Sequence, residues 1–222
     1  MASDVDIYNL ALSRLGQEPS VNSINPHDNS VEASIGAWAY PMALKAMLEL
    51  HDWNFATTRK NGSPITNPSS TWKYAYAKPS DALRISRILP SNAVSDYIVT
   101  PVEQTGLSGI YGSATPTTTE RHSFAIETDV NGNELIFTNV EDAVIVYIRE
   151  VSNPAKFSGT FTEALAWMLA SMVAGPLIKG KEGRATALEC QKTMLWWLSQ
   201  ATGLNVSQLQ VQVPHLPQWL NR

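Results

Sequence analysis

The sequence predicts an α+β fold: a four-helix bundle with an inserted β domain (a small sheet or barrel) and an extended C-terminal arm. Apolar residues recur with helical spacing near both ends of the chain, whereas segments rich in β-branched and aromatic residues alternate in the middle. The expected boundaries are residues 1–53 and 155–203 for the bundle, 54–154 for the β domain and 204–222 for the arm.

The first helical zone predicts two helices separated by a polar loop. We expect Asp4 or Asp6 to cap the first helix and Gly16 to end it, because these residue types favour helix ends. The second helix is expected to begin near Asn29 or Ser30, and Pro41 inside it predicts a kink. Its apolar residues with helical spacing are Val31, Ile35, Trp38, Met42 and Leu48.

The middle zone predicts at least five strands, in the segments TWKYAYAKP, LRISRIL, RHSFAIETD, NELIFTN and AVIVYIRE. Asn131-Gly132 between two of them predicts a tight hairpin, because both residues tolerate positive φ. The segments 60–71 and 100–120 are rich in Gly, Ser, Thr and Pro, so we expect loops there. We expect the longer loop, 100–120, to order only against a neighbouring molecule.

Residues 158–202 return to helical spacing. The run from Ala164 to Ile178 has no formal charge, but a membrane span needs about 20 apolar residues and Gly175-Pro176 interrupts the run. We therefore expect a buried core helix and no membrane anchor. We also expect no signal peptide, because MASDVDIYNL has no basic start followed by an apolar stretch.

The last helix is expected to carry one apolar stripe and to end at Gly203. The stripe comprises Ala187, Cys190, Met194 and Trp197, with Leu188, Leu195 and Leu198 beside it. Beyond it, Pro214 and Pro217 favour an extended backbone. Two interpretations of this tail remain open: it folds back on its own domain, or it is an arm that lies on another molecule.

Composition favours an assembling protein and gives little sign of catalysis. Charged residues make up 16% of the chain, against roughly 25% in average soluble proteins, and the chain has seven Trp, a residue type enriched at interfaces. A net charge of -4 excludes a free nucleic-acid binder with a basic patch. The single Cys190 excludes an intrachain disulfide and is expected to be a core residue.

Motifs for cofactor or metal binding are incomplete, so we expect no cofactor, no metal site and no enzyme activity. GPLIKGKE approaches the phosphate-binding P-loop pattern, but Glu182 replaces the required Ser or Thr and a helix precedes the glycines. The histidines His27, His51, His122 and His215 are scattered without metal-ligand spacing. An enzyme remains possible only through residues that converge in the fold.

Several strings together resemble one known family, the bacteriophage tail tubular protein A family. They are IYNLALSRLGQEPSVNSI followed by an amphipathic helix and HDWNFATTR, then YAYAKPSDALRISRIL with a Y-x-Y-x-x-P-x-D-x-L-R pattern. FAIETDVNGNELIF and VIVYIREVSNPAKFSGTFTEALAWMLASMVAGPL complete the likeness, which covers about residues 4–200. Members of this family are the head-to-tail adaptors, or gatekeepers, of short-tailed phages.

The resemblance implies a structural virion protein, made in the bacterial cytoplasm and located at the head-tail junction. It implies a homo-oligomeric ring, a dodecamer, that lies beneath the portal protein and extends the DNA channel. The bundle would pack against neighbouring subunits and the β domain would face the next tail protein. No cofactor is implied, and genomic DNA would pass through without sequence-specific binding.

Three groups of site residues are expected on this basis. An inter-subunit face is formed by Ala166, Ala170 and Ala174; a portal-docking arm by Val213, Leu216, Trp219 and Leu220; and the distal tail contact by Gly106, Leu107, Ile110 and Tyr111. The alternative function is a tail-associated module that binds a receptor or sugar. Portal binding discriminates between the two, because only the adaptor should join a portal ring.

Overall fold

The structure is a computed structural model that describes residues 3–93 and 122–208. Its helices are α1 (Asp4–Arg14), α2 (Val31–Leu50), α3 (Gly159–Ile178) and α4 (Gly180–Ser207), with a short 3-10 helix at Pro154–Lys156. Its strands are β1 (Thr57–Asn61), β2 (Ser63–Pro64), β3 (Tyr74–Ala77), β4 (Ala82–Leu89), β5 (Phe124–Thr128), β6 (Glu134–Thr138) and β7 (Val144–Arg149). This mixture of helices and antiparallel sheets confirms the predicted α+β class.

The described residues divide into two compact units. The helical unit comprises 3–58, 81–84 and 148–208, and the β unit comprises 59–80, 85–93 and 122–147. The helical unit therefore includes 54–58, 81–84 and 148–154, which the sequence analysis assigned to the β domain. Residues 54–58 and 148–154 adjoin the helices and contribute Ala56 and Val151 to the helical core, and Leu83 of 81–84 packs against the same core.

The helix ends are set by side-chain caps. Ser3 and Asp6 form a capping box: Ser3 Oγ accepts the Asp6 N–H at 3.1 Å, and Asp6 Oδ2 accepts the Ser3 N–H at 2.8 Å. The cap of α1 is thus Ser3, one residue before the predicted Asp4. Gly16 follows α1 with φ +71, the left-handed conformation expected after a helix end. Ser30 caps α2 and confirms the predicted start of that helix.

The central element of the helical unit is α3. It packs against α1, α2 and α4, whereas α4 packs against α3 without comparable contact to α1 or α2. The buried residues of α3 are Phe161, Ala164, Leu165, Ala166, Leu169, Ala170, Val173 and Ala174. In this arrangement one helix contacts all the others, and the side of α4 that faces away from α3 is not covered by another of the described helices.

By length and composition, α3 is also the one helix in the described part of the chain that could cross a membrane. Core helices of soluble proteins satisfy the same criterion. Here the helix is covered by three others and continues through Gly175-Pro176 to Ile178, although Pro176 removes one backbone donor. The predicted buried helix is confirmed, and its predicted interruption at Gly175 is wrong.

An aromatic cluster joins the start of α3 to the segment after α2. The Trp53 ring meets the Phe161 ring edge-on with centroids 4.8 Å apart, and Phe55 and Phe157 extend the cluster. The indole Nε1 of Trp53 donates to the Met47 carbonyl at 2.8 Å, so the buried polar atom is satisfied. This cluster fixes where the chain leaves α2 and where it enters α3.

The strands form two sheets, with orders β1-β7-β4 and β2-β3-β6-β5. In the second sheet Tyr76 pairs with Ile136 across β3 and β6, and Ile126 pairs with Ile136 across β5 and β6. All five predicted strands are present. The strands β1 and β2 were not predicted. Their residues are polar and mostly exposed, so their sequence shows no alternation of apolar and polar residues.

The predicted tight hairpin between β5 and β6 is present, with Asn131 and Gly132 in its loop. Asp129 and Asn133 close a three-residue loop with a 2.9 Å hydrogen bond from Asp129 N–H to Asn133 O. Gly132 adopts φ +85, and its N–H donates to Asp129 O at 3.0 Å, which indicates a type I turn followed by a left-handed glycine. The Asp129 carboxylate accepts the Asn131 and Asn133 N–H groups, and these hydrogen bonds stabilise the three-residue loop.

Candidate assembly surface

Within residues 3–93 and 122–208, no group of three or more His, Cys, Asp or Glu side chains could hold a metal ion. Cys190 is a buried core residue as predicted, and burial raises the pKa of its thiol, which therefore stays protonated and weakly nucleophilic. Of the glycines that approach a P-loop pattern, Gly175 lies inside α3 and Gly180 is the first residue of α4, with only Lys179 between the two helices. A P-loop requires a strand before its glycines, so this helical segment does not form one.

A cavity of about 780 Å³ lies beside α2. Its lining residues are Asp4, Ile24, Asn25, Pro26, His27, Asn29, Ala37, Tyr40 and Pro41. The Tyr40 hydroxyl is buried without a hydrogen-bond partner in the described structure, and burial together with the Asp4 carboxylate raises the pKa of Tyr40. No hydrogen bond joins Asp4, His27 and Tyr40, so these described residues do not form a nucleophile–base pair.

The outer face of α2 carries large apolar side chains. Val31, Trp38 and Met42 each keep between 46% and 68% of their surface exposed, and their spacing of seven and four residues places them on one side of the helix. The helical spacing groups them with Ile35 and Leu48 in one apolar stripe, which a soluble domain normally turns toward its core. The structure places Val31, Trp38 and Met42 outside, whereas Ile35 packs partly against the core and Leu48 is fully buried.

The opposite side of α2 is buried and combines small residues with large ones. Ala33, Gly36, Ala39 and Ala43 are buried there, together with Tyr40, Leu44, Met47 and Leu48. Gly36 lies directly against the ring of Tyr8 in α1, and the Tyr8 hydroxyl donates to the Glu32 carbonyl at 2.8 Å. The small side chains let α2 approach its neighbours closely at these positions, and Val31, Trp38 and Met42 remain outside.

The outer face of α4 is apolar as well. Leu188, Leu195 and Trp196 each keep between 55% and 60% of their surface exposed, and the Trp196 ring packs edge-on against Trp197 at 4.9 Å. Of the predicted stripe, Cys190 and Met194 are buried against α3. Single exposed apolar residues are common, but groups of large ones on one helix face are typical of surfaces that another molecule covers.

The predicted inter-subunit face requires a correction. Ala166, Ala170 and Ala174 have no exposed surface, because α3 uses them to contact the other helices of its own chain. For example, the backbone of Gly183 in α4 approaches so closely that an added Cβ would lie 3.0 Å from the Ala174 carbonyl oxygen. The small-residue signal was real, but it reported close packing within the chain.

The other predicted site residues lie outside the described residues. These are the portal-docking residues Val213, Leu216, Trp219 and Leu220 and the distal-contact residues Gly106, Leu107, Ile110 and Tyr111. The predicted arm begins at residue 204, but α4 continues past Gly203 to Ser207, so residues 204–207 are helical. No protein-family model matches the chain, and no curated protein matches its sequence.

Proposed function

We propose that this chain is a structural subunit that assembles through the outer faces of α2 and α4 into a homo-oligomeric ring. The ring would act as the head-to-tail adaptor of a short-tailed phage: it would lie beneath the portal, extend the DNA channel and provide the attachment surface for the next tail protein. The observation that carries the proposal is the exposure of Trp38 on α2 and Trp196 on α4 within two groups of large apolar side chains.

The energetics of the two faces favour assembly over an isolated chain. A large apolar side chain that is moved from water to an interface contributes about 1.5–3 kcal/mol. Six such side chains on α2 and α4 keep between 46% and 68% of their surface exposed in the single chain, namely Val31, Trp38, Met42, Leu188, Leu195 and Trp196. Two separate faces on one subunit also suit a ring, in which each subunit contacts two neighbours through different surfaces.

The family resemblance supports the same proposal from different residues. The string HDWNFATTR supplies Trp53 and Phe55, and the string beginning VIVYIREV supplies Phe157 and Phe161. These four aromatic residues form one cluster in the helical unit. The shared aromatic positions therefore serve one structural purpose in this chain, which is to fix the start of α3.

The negative net charge is consistent with a subunit of a ring through which DNA passes. A net charge of -4 gives the chain no overall attraction for DNA phosphates. A ring through which DNA moves benefits from weak contacts, since strong phosphate contacts would retain the DNA. This argument supports passage of genomic DNA and assigns no DNA-binding residue.

The test uses charge substitutions on the two faces. We expect Met42→Lys on α2 and Trp196→Lys on α4 to weaken subunit association by about 30-fold or more, because a buried interface anchor typically contributes at least 2 kcal/mol. Both residues are exposed in the single chain, so the thermal unfolding of the subunit should change little. Light scattering measures the assembled mass, with and without a purified portal ring.

Met42→Leu and Trp196→Phe are the matched controls, because they keep an apolar side chain at the same positions. They should assemble as the wild-type chain does. Assembly of both Lys variants at wild-type yield would refute the role of these faces. A wild-type chain that remains a small oligomer and ignores the portal would instead favour the receptor-binding or sugar-binding module.

A further inference from the structure

The last turn of α4 is held by a buried amide, Asn205, which contacts the segment that follows α2. Asn205 Oδ1 accepts the Asn54 N–H at 2.9 Å. Asn205 Nδ2 donates to the Asp52 carbonyl at 2.9 Å and lies 3.0 Å from His51 Nε2. We call these three hydrogen bonds the Asn205 latch. They join the last turn of α4, which ends at Ser207, to residues that lie between 151 and 154 positions earlier in the sequence.

The partners of the latch determine the protonation state of His51. A backbone N–H donates to Oδ1, so that atom is the carbonyl oxygen of the amide, and Nδ2 is its donor. One hydrogen of Nδ2 is directed to the Asp52 carbonyl, and the other faces His51 Nε2. His51 Nε2 can accept this hydrogen only when it carries no proton, so the latch requires a neutral imidazole protonated on Nδ1.

We propose that protonation of His51 opens the Asn205 latch and loosens the last turn of α4 at mildly acidic pH. A proton on Nε2 would face the hydrogen of Asn205 Nδ2, and two donors cannot share one hydrogen bond. The bond to His51 is lost, and the amide must rotate or leave. The latch is thereby a pH-sensitive attachment between the end of α4 and the end of α2.

The surroundings of His51 determine whether its pKa lies above or below the usual value. Burial lowers the pKa of His51 below the usual 6.5; the adjacent Asp52 carboxylate opposes this shift, and the Arg84 guanidinium adds to it. Arg84 comes from β4 and forms an ion pair with Asp52, which weakens the pull of that carboxylate on the imidazole. The last turn of α4, Leu204–Ser207, brings no charged side chain to the site.

The sign of the pH effect follows from this direction. With the latch open, His51 is expected to titrate near 6.5, and with the latch closed at a lower pH. The open form therefore binds more protons, so acid favours opening. The latch is fully formed above about pH 6.5, and it weakens as the pH falls from there through the pKa of the closed form.

Two further hydrogen bonds, both donated by the Asn54 side chain, hold the end of α4 without involving His51. Asn54 Nδ2 donates to the Asn205 carbonyl at 3.0 Å and to Gln208 Oε1 at 3.4 Å. Neither contact depends on the proton of His51. Opening of the latch is therefore expected to loosen the end of α4 while the remainder of the helix, which packs on α3 through Cys190 and Met194, stays in place.

Amide hydrogen exchange of the full chain, measured between pH 5 and 7.5 and corrected for intrinsic exchange rates, tests the proposal. The reporter is the Asn54 N–H, which donates to the latch, and the core amide of Leu169 reports global opening. The protection factor of Asn54 should fall by up to about tenfold per pH unit below pH 6.5. Protection of Leu169 should fall less. Nitrogen chemical shifts should show His51 protonated on Nδ1 at pH 7.5.

Substitutions separate the latch from general acid destabilisation. His51→Gln places an amide oxygen at the acceptor position without a titrating group, so Asn54 protection should lose its pH dependence. His27→Gln is the matched control on an exposed histidine outside the latch, and it should leave the dependence intact. Asn205→Asp favours a protonated His51 and should reverse the direction.

The proposal is overturned by any of three results. The first is wild-type Asn54 protection that is constant between pH 5 and 7.5, and the second is a dependence that persists in His51→Gln. The third is a fall in Leu169 protection equal to that of Asn54, which would show that the whole helical unit opens together. None of these results depends on ring assembly, so the proposed function is tested separately.

Discussion

Gly36 of α2 lies so close to the Tyr8 ring of α1 that a Cβ added at Gly36 would stand 2.8 Å from Tyr8 Cε1. Tyr8 is fully buried, and its hydroxyl donates to the Glu32 carbonyl, so the ring cannot move aside easily. The contact decides which side of α2 faces the core. It therefore also decides that Val31, Trp38 and Met42 face outward.

Gly36→Ala tests this contact. Overpacking a filled core site costs about 1–3 kcal/mol, so we expect the free energy of unfolding to fall by that amount. The control is Gly203→Ala, at a helical glycine with open space around it, which should stabilise the chain by roughly 0.5–1 kcal/mol. Urea unfolding measures both. Equal effects of the two substitutions would contradict the proposed close approach of α1 and α2.

Tyr8 and Tyr40 form a second matched pair. Both are buried, but the Tyr8 hydroxyl has a partner and the Tyr40 hydroxyl has none in the described structure. Tyr8→Phe should lower the free energy of unfolding by about 1 kcal/mol, the usual net contribution of one hydrogen bond. Tyr40→Phe should leave it unchanged or raise it, because an unsatisfied buried hydroxyl is removed.

Spectrophotometric titration gives a second measurement on the same tyrosines. Burial, followed by the effect of Glu32, raises the pKa of Tyr8 to about 12, and burial with Asp4 raises the pKa of Tyr40. Neither phenol should ionise near pH 10 while the chain is folded. If either Phe variant gives less tyrosinate signal near pH 10 than the wild-type chain, the hydroxyl that the variant lacks ionises there in the wild type and must reach solvent.

Lys179 is the single residue between α3 and α4, and its φ of 61° and ψ of 164° are strained for a side chain with Cβ. Lys179→Gly should relieve this strain. The greater flexibility of glycine in the unfolded chain offsets part of the gain, so the free energy of unfolding should rise by about 1 kcal/mol. Lys181→Gly, inside the first turn of α4, should instead lower it by roughly 0.5–1 kcal/mol. In thermal unfolding, the midpoint temperature should rise in Lys179→Gly and fall in Lys181→Gly.

The helices could be predicted because their signals are local. Apolar spacing located all four, and Ser30 and Gly16 marked two of their ends. The orientation of α2 could not be predicted from spacing, because large apolar residues lie on both sides of the helix and the buried side depends on the absence of a Cβ at Gly36. That requirement comes from Tyr8, a residue 28 positions away, and it has no local signature.

The candidate surface illustrates the same limit. Small residues such as Ala170 indicate close helix packing, but the sequence does not say whether the partner helix belongs to the same chain. The end of α4 was also missed, since Asn205 reads as a turn residue until its contact with Asn54 is known. In contrast, Cys190 was correctly assigned to the core because its stripe is continuous with Met194.

Electron microscopy of the purified protein mixed with a portal ring shows whether the chain forms a ring that joins a portal. We expect a dodecameric ring attached to the portal, with α2 of one subunit and α4 of another at the subunit contacts. A chain that stays free of the portal, or a ring whose contacts leave Trp38 and Trp196 in water, would contradict this expectation.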